Sequence, residues 1–319
     1  MDYSQILSQQ FNIKEEYAKN IITLLDDGNT IPFIARYRKE MHGSMDDQLI
    51  REFAEKLEYL RGLDKRRDEI RSLIDAQEKL TDEINLALDK AATLSELEDI
   101  YRPYRPKRKT RASIAKEKGL EPLANDILKQ EKGFDPSKSA VDYIDEEKGV
   151  TSVEDAIQGA MDIIAELVSD NAEIRKRIRN LTNANGVLVS VATDEEKDSV
   201  YKNYYDYKEP VKKIAGHRVL AVNRGEKEGF LKVSVETDSE KPLNSIFRAM
   251  ITDKNQLCSD IIREASTDAY QRLIYPSIER EVRNDLTDTA AENAMKVFAV
   301  NLKQLLMQPP VKGKTVLAL

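Results

Sequence analysis

Tryptophan is absent from the 319-residue chain, cysteine occurs once, and glycine numbers 12. Each scarcity excludes something. A lone Cys258 cannot form an intrachain disulfide, and a cysteine-rich metal site is excluded with it. That usage suits a reducing compartment, and a cytoplasmic location is expected. Little glycine beside abundant Glu, Lys, Leu, Ile and Ala favours helices over sandwiches and barrels. Apolar runs are short as well. No stretch of about 18 apolar residues occurs, so no membrane span and no membrane partner are expected. Residues 1–10 have neither the basic nor the apolar region of a signal peptide.

What is present is charge. Charged residues make up 34% of the chain against 40% apolar, and the net charge is −7. The balance fits a folded, heavily solvated helical protein. The acidic total argues against nucleic acid until the charge is mapped. Between Tyr101 and Lys118 eight basic residues (Arg102, Arg105, Lys107, Arg108, Lys109, Arg111, Lys116 and Lys118) stand against one acid, Glu117. The rest of the chain is correspondingly more acidic. This reversal of sign is the most informative compositional feature.

The apolar spacing predicts helices along most of the chain. Lys14–Asp26 ends at Gly28, a candidate left-handed cap, and Asn29-Thr30-Ile31-Pro32 opens another helix with Pro32 in its first turn. Helix, tight turn, helix fits either a helix-turn-helix or an ordinary helical hairpin. Leu49, Phe53, Leu57, Leu60, Leu63, Ile70 and Ile74 form one stripe over Asp46–Lys79, a long amphipathic helix with a kink expected near Gly62. Pro103 and Pro106 break the pattern and begin a basic loop held extended by the two prolines. Thr151 and Glu154 have capping-box spacing before a helix that reaches Ser169. Val187–Val191 and Leu231–Val235 are short, strand-like and expected to pair as a two-stranded antiparallel sheet. Between them, His217–Glu228 reads as a helix closed by Gly229. Asp253–Leu273 is predicted as a helix, followed by Ser277–Met307. The latter carries a stripe of Ile278, Val282, Ala290, Ala294, Phe298, Leu302 and Leu305, with Pro276 in its first turn.

No constellation for catalysis emerges. His42 and His217 are too far apart for metal-ligand spacing, and neither sits with Ser or Cys in a familiar nucleophile motif, so both are read as structural. Gly313-Lys314-Thr315 lacks the P-loop glycine five residues earlier, where Gln308 stands. Carboxylate pairs such as Asp26-Asp27 and Glu146-Glu147 read as solvated surface. The expectations are a non-enzyme with no catalytic residues, no cofactor and no metal.

The basic loop is the candidate site. Arg102, Arg105, Lys107, Arg108, Lys109 and Arg111 could neutralise phosphates, while Tyr101 and Tyr104 could stack on bases or pack internally. Pairing of the same cations with the acidic remainder of the chain is the competing reading. A third is a protein-docking platform, since Pro103 and Pro106 have the spacing of a polyproline ligand. Arg175-Lys176-Arg177 with Arg179, and Lys212-Lys213 with Arg218, are weaker patches.

Four strings carry a resemblance. Asn29-Thr30-Ile31-Pro32-Phe33-Ile34-Ala35-Arg36-Tyr37-Arg38-Lys39-Glu40, the run Leu97–Arg111, Gly216–Glu226 and Ile274–Glu281 resemble the hallmark segments of the bacterial Tex family. The resemblance implies a transcription accessory protein, related to a eukaryotic elongation factor and histone chaperone. It implies nucleic acid (RNA or DNA) as partner, with RNA polymerase as a further candidate. Full-length members carry an N-terminal helical region, an RNase-H-like domain, helix-hairpin-helix elements and an OB-fold RNA-binding domain. By that resemblance this chain corresponds to the first region, and Lys314–Leu319 would begin the RNase-H-like domain as an unpartnered strand. The expected architecture is mainly all-α. It comprises an N-terminal helical region (1–130) with the basic loop 101–118, a helical region with the small sheet (131–250), long helices organised around 277–307 (251–308), and a linker with the first strand (309–319).

Overall fold

The computed structural model describes residues 2–106, 109–252, 254–309, 313 and 315. Helices dominate it, and the chain divides into two compact units between Pro106 and Lys107.

The first unit comprises α1 (Tyr3–Phe11), α2 (Glu15–Asp26), α3 (Ile31–Tyr37), α4 (Lys39–His42), α5 (Asp47–Asp75), α6 (Asp82–Lys90) and α7 (Leu94–Tyr101), then a 3-10 turn at Arg102–Tyr104. Local chemistry sets the ends. The Asp2 and Asp46 carboxylates accept from free backbone N–H groups at the starts of α1 and α5, and Thr81 and Thr93 do so for α6 and α7. α5 runs unbroken through Gly62 and serves two cores. Its first half buries Ile50, Phe53 and Leu57 against Leu7, Ile21 and Ile34 from α1–α3. Its second half buries Leu63, Ile70 and Ile74 against Leu88, Leu97 and Tyr101 from α6 and α7. The stripe expected over 46–79 therefore faces inward along its length.

The second unit continues with α8 (Arg111–Glu117), α9 (Glu121–Lys129), α10 (Pro136–Ala140), α11 (Val153–Asp170), α12 (Ala172–Asn185), β1 (Val187–Ala192), β2 (Asp206–Pro210), α13 (Gly216–Lys227), β3 (Leu231–Glu236), α14 (Glu240–Met250) and α15 (Gln256–Asp268). A π-helical turn at Ala269–Ile274 then leads directly into α16 (Tyr275–Leu306). α11 is the central helix, packed by α8, α9, α10 and α15. It buries Ala156, Ala160, Ile163, Ile164 and Val168. β1 and β3 pair antiparallel as expected, with Leu188 opposite Val235 and Ser190 opposite Val233.

Three expectations need correction. The sheet has three strands, in the order β2-β1-β3, because Asp206–Pro210 also pairs with β1. The polar Asp-Tyr-Lys-Glu-Pro string carries no apolar alternation, yet it lies at a sheet edge, where proline and charge are tolerated. Asp253–Leu273 and Ser277–Met307 are not separate helices, for Pro276 lies within one helical path that passes through the π turn. The stripe of α16 is buried only at Ile278, Val282 and Ala290, while Ala294, Phe298, Leu302 and Leu305 are exposed. The neighbours of α16, namely α12, α13, β3 and the π turn, cover its first half alone. Of the expected strand Lys314–Leu319, all but Thr315 lies outside the described residues.

The other edge strand, β3, is closed by side chains. Glu226 accepts from the Val233 N–H at 3.1 Å, and Glu279 from the Val235 N–H at 3.1 Å. Arg283 donates to the Val233 carbonyl and the Tyr275 hydroxyl to the Val235 carbonyl, both at 2.9 Å. Burial pushes the Tyr275 hydroxyl up to about 12, so it remains a donor. Three of the hallmark residues, Glu226, Tyr275 and Glu279, thus satisfy a strand edge.

Phe53 is fully buried where α5 meets α1–α3. Phe53→Ala is expected to destabilise the first unit by about 3–5 kcal/mol, read as a lower urea midpoint.

Candidate nucleic-acid interface

The basic segment is built differently on the two sides of Pro106. In the first unit, α7 ends at Tyr101 and the chain turns once as a 3-10 helix over Arg102–Tyr104. Pro103 starts that turn, because its fixed φ suits a helical first position. The extended backbone expected at the prolines begins only at Arg105, with φ −67° and ψ 133°. A polyproline ligand conformation starting at Pro103 is therefore not adopted.

Tyr101 is buried, with the guanidiniums of Arg66 and Arg105 each 5.7 Å from its ring centroid. It takes the packing role. Tyr104 is half-buried against the same core. Arg105 bonds to Glu98, which also accepts from Arg66 Nε at 2.7 Å. Arg102 is half-buried and has a partner. Lys107 and Arg108 lie outside the described residues.

In the second unit the segment continues into α8. Thr110 and Ser113 cap α8 reciprocally, and the Thr110 hydroxyl also donates to Glu166 on α11 at 3.1 Å. Lys109 is exposed and only loosely paired, its Nζ 3.9 Å from Glu117. Arg111 is exposed in the first turn of α8, and its charge acts on Asp162 of α11. Burial raises the Asp162 carboxyl above the usual aspartate value, while the charges of Arg111 and Arg272 oppose that shift. Lys116 pairs with Glu121 at 2.9 Å, and Lys118 donates to the Gly149 carbonyl at 2.7 Å.

Most of these cations thus have internal partners, and several of those partners go unmarked by sequence reasoning. Glu98 precedes Arg105 by two helical turns, a spacing that is legible only if the helix is known to unwind at Tyr101. Asp162 lies on another helix and gives no local signal. The exposed pairs are nevertheless weak, since surface ion pairs contribute about 0–1 kcal/mol. A phosphate can replace a carboxylate there at small expense.

In the weaker patches Arg175, Arg179 and Arg218 are internal bracing, while Lys176, Arg177, Lys212 and Lys213 are exposed. Arg175 is buried and donates to the Ser277 hydroxyl at 3.1 Å, and Arg179 to Glu281 at 2.6 Å. Arg218 binds Glu209 at 2.9 Å, and the Tyr207 hydroxyl donates to the same carboxylate. A ring nitrogen of the buried His42 lies 3.1 Å from the Ile34 carbonyl, while His217 is exposed on α13. A surface cleft of about 350 Å³ has Lys212, Thr237, Asp238 and Lys241 in its lining, without a carboxylate pair. Among the described residues, no three His, Cys, Asp or Glu side chains gather as a metal site, and no helix is long and apolar enough to cross a membrane.

With this arrangement established, similarity to known proteins supplies its context. Residues 1–75 match the Tex-like protein N-terminal domain and residues 131–298 the Tex central region-like family. The chain belongs to the Tex family. It is 44% identical over 324 residues to the Bacillus subtilis (strain 168) protein YdcI, covering 99% of this chain and 45% of that protein. It is 36% identical over 330 residues to the transcriptional accessory protein Tex of Neisseria gonorrhoeae, covering all of this chain and 43% of that protein. A human protein named S1 RNA-binding domain-containing protein 1 is 31% identical over 334 residues, covering 99% of this chain and 33% of that protein. The chain thus spans less than half the length of these relatives.

The Glu209 carboxyl is held below its ordinary value by the hydrogen bond from Tyr207 and then by Arg218, with burial opposing. A depressed carboxyl stabilises the fold above its ordinary pKa, and that stability is lost as the pH falls through the folded value. Glu209→Gln is expected to lower the thermal midpoint at pH 7, by about 1 kcal/mol or less in stability. The gap to wild type should narrow below pH 4.5, the ordinary glutamate value.

Proposed function

We propose that this chain is a non-catalytic, nucleic-acid-binding part of a cytoplasmic transcription accessory protein, and that the run Arg102–Lys118 is its contact with phosphates. The observation that carries this reading is the concentration of positive charge. A segment of local charge +7 sits in a chain of net charge −7. Its described cations are mostly at the surface, in pairs weak enough for phosphate to displace. Arg102, Arg105, Lys107, Arg108, Lys109 and Arg111 take phosphate oxygens in this reading. Tyr101 and Tyr104 brace the turn that presents them. The relatives' names agree with the reading, one being called a transcriptional accessory protein and another an RNA-binding-domain protein.

The second reading is protein docking, with RNA polymerase as the candidate. The observation favouring it is the satisfied state of Arg105, because a guanidinium already braced by Glu98 and stacked on Tyr101 is pre-shaped for one geometry.

Titration of the chain with single- and double-stranded oligonucleotides over a salt series separates the two. Phosphate binding predicts affinity that falls steeply with salt. Simultaneous reversal of Arg105, Lys107, Arg108 and Arg111 to Glu should abolish it, and Glu98→Gln, which frees Arg105, should strengthen it about two- to fivefold. If the reversed variant binds as wild type does, the loop is not the site. Capture of RNA polymerase by a chain that binds no oligonucleotide would favour docking.

A further inference from the structure

A second set of cations, on α3 and α4, is left unused by the loop. Arg36, Tyr37, Arg38 and Lys39 are four consecutive exposed residues, with Tyr37 65% exposed. A continuous helix facing a core would turn some of them inward. Here α3 stops at Tyr37, Arg38 leaves helical geometry at φ −129° and ψ 32°, and α4 restarts at Lys39. The break re-phases the chain so that all four face solvent.

The corner that carries them is pinned from behind. Ile34 and Ala35 are buried, and the His42 ring contacts the Ile34 carbonyl. Asn20 of α2 donates to the Met41 carbonyl at 3.0 Å. Gly43 follows in left-handed geometry at φ +67°, with the Tyr17 ring so close that a Cβ would lie 2.6 Å from it.

The exposed side chains form an aromatic and cationic surface. The Phe33 and Tyr37 rings lie 5.4 Å apart, and the Arg38 guanidinium is 5.3 Å from the Phe33 centroid. Among the described residues, Arg36, Arg38 and Lys39 have no carboxylate at ion-pair distance, and the hydrogen bond that Arg38 makes, at 3.4 Å, is to the Tyr37 carbonyl. The one acid in the stretch, Glu40, is exposed beside them. This contrasts with the loop, where Arg105, Lys109, Lys116 and Lys118 all have partners.

An acidic peptide would use the cations but leave an exposed tyrosine ring with nothing to cover it. A single-stranded nucleic acid uses both, since its bases stack on aromatic faces and its phosphates meet the guanidiniums. We propose that Phe33, Arg36, Tyr37, Arg38 and Lys39 form a second contact for single-stranded nucleic acid, with a base stacked on Tyr37 and adjacent phosphates on the three cations. The proposal rests on the reading that this chain binds nucleic acid, and it names a different place.

The absence of tryptophan allows a direct test. Tyr37→Trp in the full chain installs a sole indole at the site. Titration with 12-nucleotide oligouridylate and oligothymidylate, followed by indole fluorescence and by anisotropy of the labelled strand, reports stacking and binding separately. The two arms distinguish ribose from deoxyribose strands. Indole quenching is expected to saturate together with the anisotropy. Tyr37→Ala should weaken binding about fivefold or more, and Tyr37→Phe should stay within about twofold of wild type. Joint reversal of Arg36, Arg38 and Lys39 to Glu should reduce the salt slope by about 2. Because these residues are exposed, circular dichroism should be unchanged. Binding without quenching, with Tyr37→Ala and the reversed variant equal to wild type, would overturn this site while leaving the loop reading intact. Equal quenching by polyglutamate would make the surface an acidic-peptide contact and overturn the proposal. A wild-type chain that binds neither strand would overturn both readings.

Discussion

Each unit is braced by guanidinium groups withdrawn from water. In the first, Arg67 of α5 is 5% exposed and donates to the Leu88 carbonyl at 2.8 Å, to the Ala91 carbonyl at 3.0 Å, and to Asp64. Those carbonyls lie at the end of α6, where a cation complements the helix dipole. Burying a charge is unfavourable unless every direction is satisfied, and removing one partner leaves it stranded. The clamp therefore specifies one position for the end of α6. α7 starts four residues later, and α7 carries Glu98 and Tyr101, which shape the basic turn. In the second unit Arg175 and Arg179 brace α12 against the first turns of α16.

Bracing and binding place opposite demands on the same residue type. Arg67, Arg175 and Arg179 are immobilised because their hydrogen bonds are made in low dielectric, where they are strong. Lys109 and Arg111 lie in water, where their pairing is weak and exchangeable. Arg36, Arg38 and Lys39 carry the contrast furthest. A chain with 34% charged residues can therefore be acidic in total and still offer phosphate a surface, since location decides what each charge does.

Much of this was legible in the sequence. The stripe of α5 and the pairing of Val187–Val191 with Leu231–Val235 follow from periodicity, whereas the cap of α11 lies one residue later than the Thr151–Glu154 spacing suggests, because Ser152 accepts from the Asp155 N–H at 3.1 Å. β2 escaped because Asp206–Pro210 has no apolar face, and its pairing is fixed by β1. Pro103 misled because proline suits both extended chain and the first position of a helical turn, and only the neighbouring packing decides. In the basic loop the sequence displayed the charges but not their partners, for Glu98 meets Arg105 through helix geometry. The end of α16 reads as apolar in sequence and as exposed in space, because periodicity reveals a face and not what covers it.

The π turn before α16 has a geometric consequence. The buried positions are Cys258, Ser259, Ile262, Ala265 and Ser266 on α15, Ala269, Tyr270 and Ile274 in the π turn, and Ile278 and Val282 on α16. A π turn takes up one residue more than an α turn, and one residue corresponds to about 100° of rotation around the helix axis. The widened turn also makes room for the ring of Pro276, which in an ordinary α-helix would press on the carbonyl four residues earlier. A single helical rod thereby changes heading without a break. Its first part docks onto α9, α11 and α14, and its second onto α12, α13 and β3. Deleting one residue within 269–274 would turn every later side chain of the rod by that angle, carrying Tyr275 and Glu279 away from the strand edge they close.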